Sequence, residues 1–171
     1  REELKRVIPV INEIRKQNPD IPISIDTRHA DVAEKALKVG ANFINAVNGL
    51  DDHEMASIAK QQGCAIILMR HKSLKGDVLN SCREQLESMK VEALQSGLQE
   101  EQLLFDPGLG FGDLATGDFQ SLPGPDANAN MLLIKQIKDY SLGRPVVIGA
   151  SRKRFIGRIT GEEDAKKRVG G

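Results

Sequence analysis

Ile21-Pro-Ile-Ser-Ile-Asp-Thr27, Ala30–Val39, Phe43-Ile-Asn-Ala-Val47, residues 52–62 and Cys64-Ala-Ile-Ile-Leu-Met69 follow one another, and their reading decides the fold. The first, third and fifth pieces are short, rich in branched residues and bounded by turn formers, which is the pattern of strands. Ala30–Val39 sets Val32, Ala33, Ala36 and Leu37 at helical spacing, and Gly40 stands where a helix C-terminal glycine belongs. Residues 52–62 read as a second helix that stops at Gly63. Cys64–Met69 is apolar throughout, so burial on both faces is expected. Alternation of such strands with helices predicts a parallel sheet.

The pattern continues in both directions. Leu4, Val7, Ile8, Ile11 and Ile14 predict a helix over residues 2–17, stopped by Asn18-Pro19-Asp20. Downstream come a helix over roughly 77–96, a strand Gln102–Asp106, a Gly/Pro/Asp-rich loop 107–127 and a helix 128–142. A fifth strand, Pro145–Ala150, and a last helix from about Ser151 complete the series. The α/β architecture is then a doubly wound sheet or part of a (β/α)8 barrel, since five strands are too few to close an eight-stranded barrel of about 250 residues. Both folds put function at the C-terminal ends of the strands.

Composition narrows the function. The chain has 171 residues, 40% hydrophobic and 28% charged, with 24 basic residues against 24 acidic ones. Zero net charge gives no electrostatic case for nucleic acid or an anionic membrane, and 4% aromatics argues against a stacking surface for single strands. No apolar run approaches the roughly 18 residues of a membrane span, and the first residues are not a signal peptide. Cys64 and Cys82 are too few for a disulfide framework or a structural zinc site, so a cytoplasmic protein is expected. Arg1 opens inside a helical pattern and Gly170-Gly171 closes just after another, so residues 1–171 read as a single domain cut at both ends from a longer chain.

The strand ends carry the chemistry. They read Asp26-Thr27, Asn45-Ala46, Met69-Arg70-His71, Asp106-Pro107-Gly108 and Ser151-Arg152-Lys153. One such residue alone is adequately explained as a helix cap or a solvated loop position. Polar groups on consecutive strand ends instead converge on one cleft. A carboxylate, an amide and a lysine there suit a polar planar heterocycle, because a carboxylate accepts two N–H bonds and an amide both donates and accepts. The glycines of Asp106-Pro-Gly-Leu-Gly-Phe-Gly112 permit close backbone approach, and their spacing is not that of a dinucleotide fingerprint.

Ile23-Ser-Ile-Asp-Thr27, Gly40-Ala-Asn-Phe-Ile-Asn45, Leu68-Met69, Asp106-Pro-Gly-Leu-Gly-Phe-Gly112 and Gly149-Ala-Ser-Arg-Lys-Arg-Phe-Ile-Gly157 together resemble the ordered motifs of the dihydropteroate synthases. The resemblance covers essentially the whole chain. It implies a TIM (β/α)8 barrel, here incomplete, with about five parallel strands. It also implies condensation of 6-hydroxymethyl-7,8-dihydropterin diphosphate with p-aminobenzoate to give dihydropteroate and pyrophosphate in folate synthesis, a step at which sulfonamides compete with p-aminobenzoate.

By position in the motifs, Asp106 would hold the 2-amino and N3 edge of the pterin. Asn45 and Asp26 would bond other ring nitrogens, Met69 would pack on the ring face, and Lys153 would contact the O4/N5 side. Phe111, Lys153 and Arg154 would border p-aminobenzoate. No residue is assigned as a general base, since pyrophosphate is a good leaving group and catalysis rests on positioning and charge stabilisation. The resemblance implies Mg²⁺, with its ligand expected outside this chain, and a homodimer for the complete protein. The chain by itself is expected to be inactive.

Several positions depart from the motifs. Ala46 stands where an aspartate is usual, Met69-Arg70-His71 replaces Met-His-Met, Asp113 replaces a lysine, and the loop 114–128 is longer. Loss of the carboxylate at Ala46 is expected to weaken pterin binding, and Arg70 and Asp113 to change the charge at the site mouth. These changes motivate a second reading, a non-catalytic paralogue that keeps the pterin-binding barrel. A third, a pterin-dependent methyltransferase, is opposed by Ser151-Arg152-Lys153.

Overall fold

The computed structural model describes residues 2–111 and 125–168. The chain divides into two compact units, Arg1–Met69 with Met89–Leu104, and Arg70–Ser88 with Phe105–Gly171.

In the first unit, α1 (Glu2–Gln17), β1 (Ser24–Asp26), α2 (Ala30–Lys38), β2 (Phe43–Ala46), α3 (Glu54–Gln62) and β3 (Ala65–Met69) alternate as the sequence predicts. The end of α4 (Val78–Gln95) and the start of β4 (Leu103–Asp106) also belong to it. The sheet runs in the order β1-β2-β3-β4. Pairing is parallel, with Asp26 opposite Asn45, Asn45 opposite Ile67, and Ala46 opposite Leu68. Buried Ile25, Ile44, Ile66 and Leu68 form one layer, and the small faces of α2 and α3 (Ala33, Ala36, Met55, Ala59) are buried with them. Each fully buried Ile or Leu contributes about 2 kcal/mol.

Side chains pin the connections in this unit. Arg15, near the end of α1, donates to the Gly40 carbonyl from Nε at 2.8 Å and from Nη2 at 2.6 Å. Its Nη1 donates to Pro19 O at 3.0 Å and to Ile21 O at 2.5 Å. Those bonds, with Ile23 N donating to Asn42 Oδ1 at 2.9 Å, hold the predicted strand residues before Ser24 in a turn, which is why β1 is shorter than Ile21–Thr27. Asp52 accepts from Ala30 N at 3.0 Å and from Glu54 N at 3.2 Å, so one carboxylate caps both α2 and α3.

The second unit holds the start of α4, the end of β4, α5 (Pro125–Lys135), α6 (Ile137–Tyr140) and α7 (Arg154–Thr160), with α5 packed on α7. Three expectations are corrected here. The helix predicted over 128–142 starts at Pro125 and breaks at Gln136, and across the break the Tyr140 hydroxyl donates to the Leu133 carbonyl at 2.9 Å. The fifth strand, Pro145–Ala150, is a single parallel bridge, Phe105 to Val146. Phe105 N donates to Pro145 O at 3.0 Å and Val147 N to Phe105 O at 2.8 Å, and with that one partner Val146, Val147 and Ile148 stay half-buried. The last helix starts at Arg154 rather than Ser151, because Arg152 takes a left-handed φ of 57° that a helix cannot accommodate.

Candidate functional site

Within the first unit, the parallel register puts the predicted residues side by side. Asp26 and Asn45 are direct partners at the C-terminal ends of β1 and β2, so their side chains leave the same face of the sheet. Asn45 is in turn opposite Ile67, and Met69 lies two residues on, so Met69 shares that face and is buried. The Asn45 side-chain oxygen is buried and has no hydrogen-bond partner among the described residues. A buried acceptor left unpaired costs about 1–3 kcal/mol, so this oxygen has a capacity for a further donor. Asp26 ends its strand exposed, and partial desolvation together with the nearby Glu3 carboxylate pushes its carboxyl above the usual carboxylate range.

Ala46 behaves differently from the expectation. It is 1% exposed and pairs with buried Leu68, on the face opposite Asn45. A strand alternates its side chains, so position 46 turns away from the face that carries Asp26 and Asn45. Its alanine therefore removes no group from that face.

The second unit carries the rest. Asp106 ends β4 at 7% exposure, and its Oδ1 accepts from Gly108 N at 2.7 Å. The turn it starts closes with Phe111 N donating to Gly108 O at 3.0 Å. Lys153, at the foot of α7, lays its ammonium 4.0 Å from the centre of the Phe111 ring, a cation–π contact. The Lys153 stem packs against Gly110. Burial pushes the Lys153 ammonium below the usual lysine range, and the Asp106 carboxylate pulls it partly back. Asp106, Phe111 and Lys153 thus converge around one short loop. Arg154 does not join them: it is exposed and lines an open cleft of about 340 Å³ with Arg158 and Arg168. Gly112, Asp113 and residues 114–124 lie outside the described residues.

Arg70 overturns its expectation outright. It is 1% exposed and adds no charge at a site mouth. Its Nε donates to Pro107 O at 2.7 Å, Nη2 to Gly108 O at 2.9 Å and Phe111 O at 3.3 Å, and Nη1 to Lys72 O. Burial lowers its affinity for the proton, while the neighbouring Cys82 thiol and Asp106 carboxylate oppose that fall. Cys82 is buried and pushed up to about 12, so it is inert as a nucleophile, as its place in α4 predicts. The sequence reading also missed Asn130, fully buried on α5, whose Oδ1 accepts from Gly110 N at 2.9 Å. Two asparagines among alanines, Ala127-Asn-Ala-Asn130, fit a helix interior poorly and were the available signal.

The model of the pterin binding enzyme family matches residues 1–171. The chain belongs to that family. Dihydropteroate synthase from Synechocystis sp. is 36% identical over 182 residues, covering 100% of this chain and 58% of that protein. The solved dihydropteroate synthase of Xanthomonas albilineans with 4-aminobenzoic acid aligns at TM-score 0.84 and 32% identity, covering 98% of this chain and 61% of that one. The Xanthomonas albilineans synthase in complex with 7,8-dihydropteroate aligns at TM-score 0.83 and 31% identity, with 98% and 60% covered. The chain spans a little under two-thirds of the length of these relatives. Its fold is a partial TIM barrel with four parallel strands. No helix among its described residues is long and apolar enough to cross a membrane.

Proposed function

We propose that this chain is the greater part of a dihydropteroate synthase. It would join the amine of p-aminobenzoate to the methylene carbon of 6-hydroxymethyl-7,8-dihydropterin diphosphate, breaking the C–O bond to the leaving pyrophosphate. The observation that carries this reading is the convergence of Asp106, Phe111 and Lys153 on one loop, in a chain whose relatives are solved with 4-aminobenzoic acid and with 7,8-dihydropteroate. Asp106 accepts the 2-amino and N3 protons of the pterin through two charge-assisted bonds. Asn45 and Asp26 take other ring nitrogens, and the unpaired Asn45 oxygen supplies an acceptor already desolvated. Met69 packs on the ring face. Lys153 reaches the O4/N5 side, and its ammonium over Phe111 stabilises negative charge beside p-aminobenzoate. Arg154 lines a separate cleft and is given no part in binding p-aminobenzoate here.

Mg²⁺ would be held by a ligand outside the described residues, among which no group of three or more His, Cys, Asp or Glu side chains could hold a metal ion. No step here is routed through one. Sulfonamides would compete for the p-aminobenzoate position. The complete protein is read as a cytoplasmic homodimer with small-molecule substrates and no nucleic-acid partner. The non-catalytic alternative loses its support from Ala46, which faces away from Asn45.

The test is to express the complete reading frame, incubate it with the pterin diphosphate and p-aminobenzoate, and quantify dihydropteroate by chromatography. Product at turnover rates is expected. No product from a protein that still binds pterin in calorimetry would overturn the synthase reading and leave a pterin-binding protein.

A further inference from the structure

We propose that Arg70 is a positioning residue for the loop Asp106–Phe111, acting through backbone carbonyls rather than by touching substrate. The inference rests on the function proposed above and names the group that shapes its loop.

Asp106 begins the loop and Phe111 ends it. Between them, Pro107, Gly108 and Phe111 all turn their carbonyls onto one guanidinium, with Lys72 O from the other side. The Arg70 backbone N also donates to Asp106 O at 3.0 Å, so both halves of the residue hold the loop. Arginine offers five N–H donors in a fixed planar fork. Lysine keeps the charge but presents a single nitrogen, and histidine has two donors on a shorter stem, so neither can satisfy four carbonyls in this arrangement. Burying a charge is costly, and here the nearby Asp106 carboxylate and charge-assisted bonds to backbone carbonyls offset that cost. Such a group is kept where the geometry it enforces matters. Here that geometry sets the direction of the Asp106 carboxylate and the height of the Phe111 ring against Lys153. On the far side of the loop, Asn130 holds Gly110 N, so the loop is gripped at its carbonyls and at an amide by separate residues.

The experiment uses the complete protein and three variants. Calorimetry with 6-hydroxymethylpterin, steady-state kinetics and thermal melting are measured on each. Arg70→Lys and Arg70→His are expected to weaken pterin binding at least tenfold, with the loss appearing in KM for the pterin diphosphate more than in kcat. Leu86→Ala, a cavity in α4 outside the loop, serves as a control of similar or greater loss in melting temperature and is expected to hold pterin within threefold of wild type. Should Arg70→Lys fail to fold, Arg70→His decides. Pterin affinity within threefold of wild type in the folded Arg70 variants overturns the inference. So does an affinity loss in Leu86→Ala as large as theirs, because the effect would then follow stability alone. Wild-type protein with no pterin affinity overturns the proposed function itself, a result distinct from either.

Discussion

A Cβ at Gly108 would strike the backbone carbonyl oxygen of Arg70. No side chain fits there, and Gly108 also takes a left-handed φ of 63°. The loop after β4 is thus pressed against the residue whose guanidinium holds it. Gly108→Ala is expected to destabilise the protein by about 3 kcal/mol, because strain and a backbone clash act together. Urea denaturation checks this, and a change under about 0.5 kcal/mol, the scale of an ordinary surface substitution, would contradict it.

Asp106→Asn separates binding from folding. The asparagine oxygen can still accept from Gly108 N, so the turn is kept. The second acceptor of the carboxylate becomes a donor and its charge is lost. Pterin binding is expected to weaken more than tenfold, about 1.4 kcal/mol or more, in a variant that still folds but melts lower, since the buried Arg70 guanidinium loses its neighbouring carboxylate. Calorimetry on the folded variant reads the result, and unchanged affinity would refute the assignment of Asp106 to the pterin edge.

Asp26 predicts a gain in stability bought with function. Its carboxyl is raised in the folded state, so the folded protein binds more protons than the unfolded chain as pH rises from the ordinary value of 3.8 through the folded value. Stability present at acid pH is lost across that window and stays lost at neutral pH. Asp26→Asn removes the effect. The variant is expected to be slightly more stable than wild type at pH 7, to lose that part of the pH dependence, and to bind pterin more weakly. Melting curves from pH 3 to pH 8 test the sign, and a variant less stable than wild type at pH 7 would reverse it.

Cys82 provides a probe of opening. Its thiol is buried and raised to about 12, beside the Arg70 guanidinium. Native protein at pH 8 is expected to leave Cys82 unmodified by iodoacetamide, with labelling only after denaturant opens the second unit. Mass spectrometry of the digested protein reads the site. Rapid labelling under native conditions would mean that α4 opens locally.

Much of this protein is legible in local pattern. The spacing of Leu4, Val7, Ile8, Ile11 and Ile14 yields α1 over its full length, and the apolar runs ending at Asp26, Asn45, Met69 and Asp106 yield four parallel strands in order. Both are repeats within a few residues, which is the range over which helix and strand periods act. The candidate site residues are read from them, since the end of a parallel strand is where a polar side chain can meet a ligand.

Other features depend on partners far along the chain. Pro145–Ala150 is as apolar as β3 but pairs only through Val146, and a strand exists only where a neighbour completes its ladder. Ala46 is adjacent to Asn45 in sequence and opposite in space, because the register with Leu68 assigns its face. Arg70 reads as a surface charge until carbonyls 37 and 38 residues away close around it. The sequence by itself determined the elements, their order and the strand-end groups, because those rest on short-range periodicity. Only the tertiary structure decided which groups share a face and which cation is buried, because burial and pairing are set by residues that the chain brings together from a distance.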